Sequence, residues 1–123
     1  MASPWFVDHS DHFVPLKRYL AGPVDQRDLL KLCMDISKIA QALTETEKRP
    51  REIDLNSVGV RGGSLVIISA RGKVSLEKSL GSLAKVANHI SSLLDSPYKP
   101  EATGTLSNFE AFSQRAVSLF RTY

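Results

Sequence analysis

From Leu65 to Ile68 the chain is continuously apolar and rich in β-branched side chains, the pattern of a strand covered on both faces. Upstream, Ile53 and Leu55 alternate with Asp54 and Asn56, and then Val58 and Val60 alternate with Ser57 and Gly59. The apolar phase slips by one residue at Asn56-Ser57, which predicts a bulge there. Arg61-Gly62-Gly63-Ser64 joins the two runs, and a Gly-Gly pair supplies the positive φ angles of a tight type I′ turn. Residues 52–70 therefore read as an antiparallel hairpin around which the rest of the chain packs, with Leu65 and Ile67 central to the core.

Two amphipathic segments flank the hairpin. Asp25 has the character of a helix N-cap, with Asp28 in the first turn to favour the helix dipole. Leu29, Leu32, Cys33, Ile36, Ile39, Ala40 and Leu43 then recur at three and four residues, one helical stripe running to about Glu47. Arg49-Pro50 stops it, because a residue before proline avoids the α region. After the hairpin, Ser75 reads as an N-cap, and Leu76, Leu80, Leu83, Ala87, Ile90 and Leu94 form a heptad-like seam ended by Asp95-Ser96-Pro97. Gly81 weakens that helix but leaves room for another backbone.

The ends are less regular. Residues 1–12 are polar apart from Trp5-Phe6-Val7 and read as a loose terminus with an aromatic anchor. The run FVPLKRYL, Phe13 to Leu20, predicts a strand, and Pro15 places it at a sheet edge. Residues 96–104, with two prolines and a glycine, predict a linker. Beyond it Ser107 and Glu110 fit a capping box, and Phe109, Phe112, Ala116, Leu119, Phe120 and Tyr123 fall on one side of a last helix. The expected fold is α+β: a small antiparallel sheet in β-α-β-β-α order, two helices on one face, and a C-terminal third helix. The core domain spans 13–95, the linker 96–104 and the last helix 105–123. Two helices cover one sheet face only, so Val66 and Ile68 are left for the C-terminal helix or a second subunit to cover.

Composition narrows the class. With 123 residues the chain can bury a real core without disulfides or metal. Its single cysteine, Cys33, precludes an internal disulfide and fits a reducing compartment, so the expected location is cytoplasmic. No apolar run reaches the length of a membrane span, and the first residues lack the pattern of a secretory signal. The net charge is +3, unevenly placed: between Lys48 and Lys85 eight basic residues face three acidic ones, Glu52, Asp54 and Glu77. That asymmetry fits a polyanionic partner.

Candidate chemistry is sparse. Asp8-His9-Ser10-Asp11-His12 has metal-ligating residue types, but nothing rigid to fix a geometry, so a polar loop is the preferred reading. Gly72-Lys73 stands where a phosphate-binding loop could, yet Ile67 and Val74 occupy positions where that motif needs Gly and Ser or Thr. Arg71 instead faces Asp54 across the extended hairpin register. Cys33 lies on a buried stripe, and His89 flanks the second helix with no acid or nucleophile specified beside it. Catalytic residues, cofactor and metal are each expected to be none. The leading functional expectation is a non-catalytic protein–protein interaction or self-association module, a homodimer through Val66, Ile68, Phe109, Phe112, Phe120 and Tyr123. The alternative is nucleic-acid binding through the basic segment 48–85, with Arg49, Arg51, Arg61, Arg71, Lys73 and Lys78 contacting phosphate.

Overall fold

The computed structural model describes residues 5–7, 11–46, 53–68, 75–95, 98 and 101–122. Gly62 and Gly63 adopt φ of 59° and 82°, the left-handed conformation that the Gly-Gly pair predicts. They join β3 (Val58–Arg61) to β4 (Ser64–Ile68), with Arg61 opposite Ser64 and Val58 opposite Ile67. The α+β class holds, and among the described residues the sheet has four strands, in the order β1 (Phe6–Val7), β4, β3, β2 (Val14–Pro15).

Upstream of Val58 the alternating pattern does not form a strand. Residues 54–57 close into a turn because the Asp54 side chain competes for the backbone. Its Oδ1 accepts from the Asn56 N–H at 2.8 Å and the Ser57 N–H at 3.0 Å. The slip in apolar phase at Asn56-Ser57 thus marks a turn rather than a bulge.

The two outer strands are short. β2 (Val14–Pro15) lies at the edge beside β3, where a proline without an N–H costs the ladder nothing. The predicted strand stops there, because residues 16–21 wind into α1 (Leu16–Ala21). Leu16 and Leu20 fit a helical face as well as a strand face, and Leu16 is fully buried. The Lys17 N–H at the start of α1 donates to the Leu55 carbonyl at 3.1 Å. At the opposite edge Phe6–Val7 is itself a strand, β1, parallel to β4.

That small strand answers the question of the second sheet face. Val58, Val60, Leu65 and Ile67 face the main core, while Val7, Val66 and Ile68 form a second cluster with Phe13 laid over it. Phe13 sits directly above Gly59, where a Cβ would stand 2.6 Å from the Phe13 ring. Val66 and Ile68 are therefore only 3% and 5% exposed without the C-terminal helix or a second subunit.

The main core is organised by α2 (Gln26–Glu45), which packs against β4, α3 (Leu76–Ser92) and α4 (Leu106–Phe120). Asp25 and Ser75 cap α2 and α3 as the sequence predicts, accepting from the Arg27 and Lys78 N–H groups. The capping box at Ser107 does not form: α4 begins one residue before Ser107, Thr105 is the N-cap, and Asn108 turns back to the Thr103 N–H. α4 folds onto α2 of its own chain. Ser113 donates to the Cys33 carbonyl at 2.9 Å and accepts from the Ser37 N–H at 3.0 Å, so its hydroxyl bridges two groups that ordinarily bond each other within a helix.

The connection before α4 is pinned at Tyr98 and Ala102. Asn88 grips the Ala102 backbone twice, accepting from its N–H at 2.7 Å and donating to its carbonyl at 2.9 Å. Tyr98 is buried edge-on against Phe112, ring centroids 4.7 Å apart, and donates to the Phe112 carbonyl. Gln26 makes a similar clasp between the ends of α2 and α3, bonding the Leu93 carbonyl and the Asp95 N–H. Among the described residues no helix is long and apolar enough to cross a membrane.

Candidate functional site

The 53–57 turn and α3 enclose an open cleft of about 340 Å³, near the lower end of the roughly 300–1,000 Å³ of ligand sites. From the turn come Ile53, Asp54 and Leu55; from α3 come Ser82, Lys85, Val86 and His89. The α3 residues are spaced three, one and three apart, which places them on one helical face. Ile53 and Val86 are almost wholly buried and Leu55 half-buried, giving an apolar floor. Lys85 and His89 are exposed at the rim.

The turn wall is held firmly. Besides the two N–H groups on Asp54 Oδ1, the Asp54 N–H donates to Ser57 Oγ at 2.7 Å, and Leu55 is tied to α1 through its carbonyl. The carboxylate is therefore employed in shaping the turn. On the other side Val86 anchors α3 in the main core, so the wall that bears Lys85 and His89 is a rigid helix.

The sequence-predicted residues lie elsewhere. Arg61 is exposed at the hairpin tip and Lys78 in the first turn of α3. Arg49, Arg51, Arg71, Lys73 and Tyr123 lie outside the described residues, as does the proposed Arg71–Asp54 pairing. Asp11 and His12 are exposed, and among the described residues no three His, Cys, Asp or Glu side chains gather as metal ligands. Phe109 and Phe112 are fully buried within the chain. Phe120 is half-buried, with the Arg27 guanidinium 4.2 Å from its ring centroid. The cleft itself was hidden in the sequence because its halves lie about thirty residues apart. The Asp54–Ser57 turn signal and the Ser82/Lys85/Val86/His89 spacing are the only traces of it.

Two buried groups show how the interior treats polar chemistry. Asp35 is 9% exposed and accepts from the Leu65 N–H at 3.0 Å. Burial raises its pKa above the ordinary carboxylate value, against the opposing pull of that hydrogen bond and of Lys38. Cys33 is fully buried, and burial, followed by the nearby Asp35 charge, pushes its thiol up to about 12.

Comparison with known proteins returns no matching family model, no matching curated protein and no matching solved structure.

Proposed function

We propose that this chain is a non-catalytic interaction module that docks a segment of another protein in the cleft between the 53–57 turn and α3. The observation behind this reading is the cleft's anatomy: an apolar floor of Ile53, Leu55 and Val86 ringed by Asp54, Ser82, Lys85 and His89. An apolar centre inside a polar rim is the usual arrangement of a protein contact. A cytoplasmic setting accords with the single, buried Cys33.

Four of the six residues expected at a homodimer interface are buried within the chain itself. Phe109 and Phe112 are buried against their own α2, and Val66 and Ile68 are covered by Val7 and Phe13. Only Val14 and Leu93 are exposed large hydrophobic residues among those described. A second reading, polyanion binding, is favoured by Lys78, Lys85 and His89, which lie along one exposed side of α3.

A photo-crosslinking residue at position 85, with one at Arg115 on α4 as control, distinguishes these partners in host cells. Adducts to a different protein from position 85 alone are the expected result. Adducts to nucleic acid, or products of twice the chain mass, would replace the docking reading with its rivals.

A further inference from the structure

The walls of the cleft differ in chemistry, and the difference specifies its occupant. On the α3 wall, Ser82, Lys85 and His89 all present groups able to donate hydrogen bonds, and the lysine ammonium can only donate. Among the described residues of the facing wall the one ionisable side chain is Asp54, whose negative charge is partly offset by the two N–H groups of its own turn that donate to Oδ1. An aliphatic side chain laid on Ile53, Leu55 and Val86 brings its chain neighbour against the donor wall. There a carboxylate meets the Lys85 charge, whereas a basic group is repelled by it.

Spacing adds to this. Lys85 and His89 are four residues apart on α3, about 6 Å along the axis, so both can reach one carboxylate. Resting on the docking reading above, we propose that the occupant is an extended segment of a partner protein in which an aliphatic residue is flanked by Asp or Glu, with the carboxylate held between Lys85 and His89.

The test titrates the full ¹⁵N-labelled chain with three blocked hexapeptides, acetyl-Gly-Ala-Leu-Asp-Ala-Gly-amide and its counterparts with Asn or Lys in place of Asp. The expected result is a set of amide shifts at Leu55, Ser82, Lys85 and His89, with the Asp peptide binding at least about fivefold more tightly than the Asn peptide. Lys85→Glu changes an exposed residue, and it should reverse the order in favour of the Lys peptide. Equal binding of all three peptides at the cleft would overturn the acidic preference and leave the docking reading standing. Absence of cleft shifts with every peptide at millimolar concentration would remove both. A short single-stranded oligonucleotide that moves Lys78 and Lys85 amides, where the peptides do not, would also overturn the proposal.

Discussion

Asp35 holds the Leu65 N–H, a group on the side of β4 that the two-residue β1 does not reach. Its folded pKa is raised, so the folded state holds the proton more tightly than the unfolded chain. The associated stability is present at low pH and is lost as pH rises from the ordinary carboxylate value through the raised one. Asp35→Asn keeps an oxygen for Leu65 and removes the charge, so its melting temperature should vary less with pH across that window than the parent's. Asp35→Ala leaves the N–H unsatisfied and should cost about 1–3 kcal/mol in urea denaturation. Neighbouring Cys33 offers a simpler measurement. With its thiol pushed up to about 12 inside the core, it should resist iodoacetamide at pH 8 and react promptly once denatured. Modification of the native chain at the denatured rate would show that the α2–α4 seam opens.

At the scale of elements, two glycines with the same one-letter code have opposite consequences. Gly59 lies in β3 beneath the Phe13 ring, so a methyl group there forces apart β3 and the residues that cover the second sheet face. Gly59→Ala should destabilise by about 1–3 kcal/mol. Gly81 is helical, and a Cβ there meets nothing within 4 Å, so Gly81→Ala should stabilise by up to about 1 kcal/mol. Paired thermal melts of the two variants check both signs. The hairpin, α2 and α3 were legible because each has a strong period and a capping or turn residue. Residues 13–20 were not, since Leu16 and Leu20 satisfy strand and helix spacing alike and Pro15 starts a helix as readily as it ends a ladder. The capping box at Ser107 failed because α4 starts at Leu106, which puts Ser107 inside the helix, while Asn108 holds the preceding loop by accepting from the Thr103 N–H.

For the whole molecule, the decisive feature is that the C-terminal helix completes the core of its own chain. Phe109, Phe112 and Ala116 are fully buried, and Ser113 bonds two α2 backbone groups. Light scattering of the intact chain should therefore give a mass near 13.6 kDa. Deleting residues 105–123 should abolish cooperative melting and expose apolar surface to a hydrophobic dye, rather than convert a dimer into a folded monomer. A truncated chain that melts cooperatively would show that α4 is dispensable. The sequence showed that the Phe109 stripe must be buried but not against what, because apolar periodicity reports a face and never its partner. The same limit hid the cleft, whose floor joins a turn to a helix only after tertiary packing.

The order in which these parts are made has its own consequence. α2 ends at Glu45, yet α4, which covers it, ends at Phe120. At a synthesis rate of about 5–20 residues per second, the apolar stripe of α2 waits roughly 4–15 s on the ribosome for its cover. Throughout that interval the nascent chain presents Leu29, Ile36, Leu43 and their neighbours to whatever is nearby. Among the described residues the native protein exposes few large hydrophobic side chains, whereas its half-made form leaves a whole helical stripe uncovered.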